Sequence, residues 1–421
     1  MSIKKRYRGP AQRHQKTTAK TKNRATGQSP QRNNVADQPA GMRFWSFVVI
    51  NIVALLAWYP ACQKNGRSRT NQDGTVDDAF ARDATSHRND GGSRLDGGTD
   101  RDGGSGLFAD MPSESERAML VFMNRWRAEP NPSQWCPDSH ESPLPQLAYD
   151  QDLAQAARFH CVHSYINNGG LSHKSYCTLR DDIESTGCNG EADCSCQPGT
   201  ECWQCGTLNG CGTSPAERDR IFGFTGSGTR ENGGAAGGGG WDATFSIVLT
   251  WATECGHGNN GAHRSNLLSA GSNVVGPGVV LGPQQGGQGG QCMGSYYFAD
   301  FGHRDGVETP RMPAGIYWRS LANGAPASFF VTYYDASGQD PDSVFVVLDG
   351  TCHEMNRELG VPGNRGYRLA QDLPVSECHE YYFVAKDTEG NLFFTPKQGA
   401  YATGDCPSDK VASRQSAPCA Q

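Results

Sequence analysis

Fifteen of the chain's sixteen cysteines lie after residue 130, and this distribution constrains the fold more than any other feature. A reducing cytosol would keep such a set as thiols, so the spread argues for an oxidising compartment and a disulfide framework. Zinc is the competing account of the dense run Cys188, Cys194, Cys196, Cys202, Cys205 and Cys211. That run holds a C-x-x-C at Cys202 and Cys205, but no second one stands at finger spacing. Export favours disulfides over zinc, and the segment at residues 42–62 supplies the export argument.

Residues 1–41 carry ten Lys/Arg and one acid, Asp37, with almost no apolar side chains, which predicts a disordered basic extension. It reads as a long cytoplasmic flank, or as sequence ahead of a true start at Met42, and no nucleic-acid partner is expected from it. Residues 42–62 then read MRFWSFVVINIVALLAWYPAC. The apolar run Phe44–Tyr59 is interrupted by Asn51 and falls short of the ~20 residues of a spanning helix. A signal peptide fits it, and Ala61-Cys62 is similar to the end of a bacterial lipoprotein signal, which makes Cys62 the expected lipidation site. The alternative is an uncleaved single-pass anchor with the basic flank held inside. Either way the later residues are exported, to the cell envelope, the outer surface or the medium. If Cys62 is acylated, fifteen cysteines remain, and one must stay unpaired or pair between molecules. Residues 63–108 repeat Asp, Gly, Arg and Ser, a flexible spacer with nothing to bury.

The 421-residue length predicts two folded domains beyond these segments. The first is expected over 109–305. Ser113 and Glu116 stand at capping-box spacing, and Met119, Leu120, Phe122, Met123 and Trp126 form a broad apolar helical face. A second helix is expected after Asp150, with Leu153, Ala156, Ala157, Cys161 and Tyr165 on one side. Asp242 is the expected N-cap of a third, whose Phe245, Val248, Leu249 and Ala252 turn inward. NVVGPGVVLG and SYYFADFG read as strands joined by a Gly-rich hairpin connection. A Cys-rich insertion, about 177–211, interrupts this domain. Over 309–405 the texture changes to short alternating strands, IYWRS, SFFVTYY, SVFVVLDG, GYRLAQDL, EYYFVAKD and NLFFTP, separated by turn clusters. Cys352 and Cys378 flank its middle strands and are expected to bridge, with Cys406 and Cys419 closing the tail at 406–421.

Four polar residues stand in recognisable settings: His173 in LSH, Glu231 in RENGG, Glu254 in WATE and His263 in GAHRSNLLS. With the helical and strand segments in their order, these settings resemble the CAP superfamily, also called the SCP domain (cysteine-rich secretory proteins, antigen 5 and pathogenesis-related 1 proteins). The resemblance implies an α+β fold, a CAP α-β-α sandwich, and convergence of His173, Glu231, Glu254 and His263 on one cleft. The strand series after residue 309 resembles an immunoglobulin-like or fibronectin-like all-β sandwich of bacterial surface proteins, without the Cys–Trp–Cys signature.

Imidazole nitrogen and carboxylate oxygen suit a divalent ion such as Zn²⁺, with His173 and His263 as ligands and the glutamates orienting them. Three functions stand open on these residues. The cleft is a binding module for a metal or for an envelope, lipid or protein ligand; or it is a metal-assisted hydrolase; or the tetrad only ties the fold together in an adhesive surface protein. Binding ranks ahead of catalysis, because CAP domains generally carry this cleft without an agreed activity and no nucleophile stands out; Ser265 beside His263 is no triad. Arg264 has two readings, an anion contact or a carboxylate partner. His163 and His257 read as partly exposed. The Gly-rich runs Gly233–Gly240 and Gly286–Gly290 lack the Lys-Ser/Thr of a phosphate loop.

Overall fold

Two glycines bring the second helix onto the sheet. Gly276 and Gly278 lie on β5 (Val274–Leu281), and a Cβ on either would sit 2.0–2.4 Å from backbone atoms of Leu153, Ala154, Ala157 and Arg158. Helix α2 (Gln151–Ile166) therefore rests backbone to backbone on β5, and Leu153, Ala156, Ala157 and Cys161 are buried as the stripe predicts. These positions come from a computed structural model that describes residues 112–131, 136, 141–166, 171–175, 177–179, 196–201, 212–236, 241–255, 261–281, 295–319, 327–406 and 419. The basic extension, the leader with Cys62, the spacer, most of the Cys-rich insertion, His257, Gly286–Gly290 and the side chains of Asp242 and Tyr165 lie outside the described residues.

The fold is mixed α and β with several antiparallel sheets. The first sheet runs β1 (Ala148–Tyr149), β5, β6 (Ser295–His303), β4 (Ser227–Ala236). β5–β6 and β6–β4 are antiparallel, and only the short β1 is parallel to β5. Side chains alternate across it. Val280, Tyr296 and Phe298 cluster with Ala157 and Cys161 of α2, while Val275, Val279, Tyr297, Ala299 and Phe301 join the core formed by α1 (Glu114–Ala128). The Ser113 hydroxyl accepts from the Glu116 amide while the Glu116 carboxylate accepts from the Ser113 amide, as the capping-box spacing predicts. Helix α4 (Trp241–Ala252) lies beside α1, with Val248, Leu249, Trp251 and Ala252 in the same core. The two smaller helices are α3 (Pro215–Ile221) and α5 (Ala262–Leu267), and β2 (Cys177–Leu179) pairs with β3 (Cys196–Glu201). Among the described residues no helix is long and apolar enough to cross a membrane.

Two further sheets follow. One runs β11 (Asn356–Val361), β12 (Asn364–Ala370), β8 (Ser328–Tyr334), β7 (Gly315–Trp318). The other runs β10 (Thr351–Glu354), β9 (Ser343–Leu348), β13 (Cys378–Lys386), β14 (Leu392–Thr395), with β15 (Tyr401–Gly404) also on β13. Phe329, Val331 and Tyr333 of β8 face Val344, Val346, Tyr381 and Phe383 of the other sheet. Phe330 turns the opposite way, with Ile316 and Trp318, onto Phe122 of α1 and Phe245 of α4.

The core therefore runs on across the expected boundary at 305–309. Polar contacts follow the same seam: Gln146 Nε2 donates to Tyr333 O and Asn364 Oδ1, both at 2.9 Å, and Arg125 pairs with Glu358 at 2.8 Å. After residue 309, β10, β11 and β15 were absent from the sequence expectation, since their short, exposed or glycine-containing segments show little alternation, and before it β1 to β4 were likewise not expected as strands.

Three disulfides join described cysteines: Cys136–Cys255, Cys352–Cys419 and Cys378–Cys406. The last two correct the expected partners. Cys378 lies opposite Gly404, two residues before Cys406, so the strand pairing of β13 with β15 delivers that cysteine and leaves Cys352 to Cys419. Cys161 is a buried free thiol.

Candidate functional site

The candidate site lies on β4, which among the described residues is an edge strand of the first sheet with a neighbour on one side only. Glu231 and Asn232 are consecutive on it, so their side chains leave on opposite faces. Glu231 points to the α3 side and accepts from His173 Nδ1 at 2.8 Å through Oε1. Its Oε2 accepts from Nη2 of Arg218, whose side chain is 0% exposed. Arg218 also donates to Ser175 Oγ at 3.2 Å and to the backbone carbonyl of His173 at 3.3 Å, so one guanidinium fixes both the glutamate and the loop that presents the imidazole.

Asn232 points to the other face and donates to the His263 carbonyl at 2.9 Å. Asn266, one turn further along α5, donates to the Glu231 carbonyl at 3.1 Å and to Asn232 Oδ1 at 2.9 Å. Glu254 follows α4 and meets His263 twice, accepting from its backbone N–H at 2.9 Å and lying 3.3 Å from its Nδ1. Trp251 of the same helix packs near the His263 ring, with centroids 6.3 Å apart, and donates its indole N–H to Gly233 O at 3.1 Å.

The four residues singled out in the sequence thus stand as two His–Glu pairs flanking one edge strand, tied to each other through Asn232 and Asn266. The His173 side chain is 56% exposed and that of His263 28%, so both rings reach solvent. Among the described residues neither Nε2 has a hydrogen-bond partner. Burial and the Arg218 charge hold the His173 imidazole below its ordinary range, which favours the neutral ring at neutral pH. Such an arrangement suits a borderline divalent cation, with carboxylates orienting the imidazoles from behind. No three His, Cys, Asp or Glu of the described residues gather closely enough to hold an ion by themselves.

Behind Glu231 lies a buried polar cluster that the sequence reading missed. Asp300 of β6 is directly opposite Glu231, and Asp219 of α3 faces Asp300. Burial, with Asp300 beside it, pushes the Asp219 carboxyl up to about 9. Burial raises Glu231 to about 7, although Arg218 pulls it the other way, and burial next to Glu231 raises Asp300 well above the carboxylate range. One cation faces three carboxyls. Taking three charges out of water with a single counter-charge is costly, so the cluster retains protons at neutral pH.

His160 and His163 of α2 lie under the same cluster. The partial exposure expected of His163 is corrected: it is buried, because on α2 it packs on Phe159, which in turn meets Phe222, and burial beside Arg218 lowers it to about 4. Asp300 was legible in principle as a polar residue on a strand face otherwise filled by Tyr296 and Phe298. Arg218 and Asp219 carried no such signal, since PAERDRI reads as a solvated charge run. Of the other residues weighed, Ser265 is exposed on α5, and Arg264 takes the carboxylate reading, pairing with Glu141 at 3.1 Å. No family model and no curated protein matches the chain.

Proposed function

We propose that this is an exported surface protein of CAP type that acts by binding, with its ligand held at the edge of β4 between His173 and His263. What supports this reading is one observation: each imidazole turns Nδ1 to a glutamate and keeps Nε2 without a partner among the described residues. A side chain serving only to tie elements together has no need to be oriented from behind and left open in front. Zn²⁺ is the first ligand to test, because two neutral imidazoles with outer carboxylates match its donor preference. Bound there, it would hold a lipid, envelope or protein group through its remaining positions. The strands after residue 309 are read as an immunoglobulin-like sandwich that steadies the cleft from behind α1. Cys62, acylated, or an uncleaved apolar segment would tether the protein to the membrane through the Asp/Gly-rich spacer.

Calorimetric titration of the protein with Zn²⁺, beside a His173→Ala/His263→Ala variant, tests this. The expected result is one saturable event in the wild type that the variant lacks. Equal heat from both proteins removes the metal site. A variant that only melts earlier, with uptake unchanged, assigns the tetrad to fold stability.

A further inference from the structure

Asp219 and Asp300 are buried carboxyls on two separate elements, the short helix α3 and the strand β6, and they face each other. Among the described residues no N–H or hydroxyl reaches any of their four oxygens. Two carboxyls in that position make a hydrogen bond only if one of them carries a proton. The pair is therefore a join between α3 and the sheet that exists in one protonation state. We propose that α3 is a latch on the cleft, closed while Asp219 and Asp300 share a proton and released when that proton leaves to solvent at alkaline pH. This inference stands whether or not the cleft takes a ligand.

The groups around the pair make release the outcome of deprotonation. The nearest cation, Arg218 of α3, is already engaged by Glu231 of β4, which is itself a buried acid directly opposite Asp300 and adds to the crowding of negative charge. Asp150, at the start of α2, adds another acid beside Asp219, and its own partner is Arg304 at 2.8 Å. On α2 the facing groups are His160, His163 and the Cys161 thiol, the two imidazoles held neutral by burial and the thiol kept protonated. The loop before α3 adds His173, whose own pairing is with Glu231. Arg304 is held by Asp150 and Asp152, and none of the others supplies a second positive charge at neutral or higher pH. Ionised together, the two aspartates would be an uncompensated buried pair, and separation into water relieves it.

α3 is the element that can move. It is seven residues long and anchored by Ile221 and Phe222 against Ala156, Phe159 and Leu179, a small satellite of the core. Arg218 joins it to Glu231, to Ser175 and to the His173 carbonyl, so its departure releases the glutamate and the loop that presents His173. Burial beside Asp300 places the Asp219 carboxyl in the range where mild alkalinity ionises it, which agrees with the geometry.

Native-state hydrogen exchange of the full protein tests the latch. The reporters are the amides that close α3: Phe222 to Arg218 O at 3.0 Å, Gly223 to Arg220 O at 3.1 Å and Phe224 to Asp219 O at 2.9 Å. After correction for intrinsic exchange, their protection is expected to fall on the order of tenfold per pH unit above neutrality, the limit for one released proton. Amides of β13, which open only with the whole fold, are expected to stay better protected than those of α3 at every pH, and Asp219→Asn is expected to abolish the fall in α3. Asp300→Asn tests the other half of the join, should Asp219→Asn not fold. Constant protection of α3, the same fall in the variants, or protection of α3 equal to that of β13 throughout would each overturn the proposal.

Discussion

Replacing Phe330 by alanine probes the claim that the two halves of this protein share one core. The Phe330 ring is buried with its centroid 6.3 Å from Phe122 of α1 and 5.9 Å from Trp318. The guanidinium carbons of Arg125 and Arg368 sit over it at 4.8 and 5.4 Å from the centroid. Removing a buried phenylalanine costs about 3–5 kcal/mol through lost burial and the cavity left behind. The two cation–π contacts add about 0.5–1 kcal/mol each where exposed to solvent. With a urea m-value of about 3 kcal/mol/M, a loss of about 4 kcal/mol lowers the midpoint by roughly 1.3 M. Unfolding with the disulfides intact, followed by tryptophan fluorescence and by hydrogen exchange in β5 and β13, reads this. One transition that moves as a whole is expected. Two transitions, with only the β13 one displaced, would refute the continuous core.

Removing a cross-link within the first half gives a second outcome. Cys136–Cys255 closes a sequence separation of 119, and replacing both by serine is expected to lower stability by about 2–5 kcal/mol, read as a drop in urea midpoint. The pH dependence has a worked sign. Between an unfolded value near about 3.9 and its folded value of about 9, Asp219 holds a proton natively that the unfolded chain has lost. Stability therefore falls as pH rises through that range, by at most about 1.4 kcal/mol per pH unit from this group. His163 acts oppositely: its folded value of about 4 lies below the unfolded one, so its contribution is lost as pH falls from about 6.5 towards 4. Between pH of about 4 and 6.5 these two contributions offset each other, and above it the Asp219 loss remains, so Asp219→Asn is expected to flatten the fall of the urea midpoint between pH of about 6.5 and 8.5. An alkaline slope unchanged in Asp219→Asn would contradict the assignment.

Local signals carried much of the fold into the sequence. Ser113 and Glu116 announced the start of α1, the stripe from Leu153 to Cys161 announced α2, and VVGPGVVLG with SYYFADFG announced the central hairpin. What stayed hidden depended on register and on layers. The pairing of Cys378 with Cys406 follows from β13 lying on β15, and no spacing in the sequence specifies that neighbour. The shared core had a signal that went unused: in SFFVTYY both faces are apolar, and a strand covered on both sides implies a third layer. At the candidate site, His173, Glu231, Glu254 and His263 were visible through their settings, while the Arg218–Asp219–Asp300 cluster was not. Its charges look solvated one at a time, and only the facing of α3 on β6 buries them together.

The most direct test of the account is whether the two imidazoles act as one site. Zn²⁺ added stepwise to the ¹⁵N-labelled protein, with the ring nitrogens observed by NMR, reads each histidine separately. We expect the Nε2 resonances of His173 and His263 to shift together and to saturate at one ion per chain. Shifts at different metal concentrations, or in one ring alone, would show that the His–Glu pairs on either side of β4 are not a single cleft.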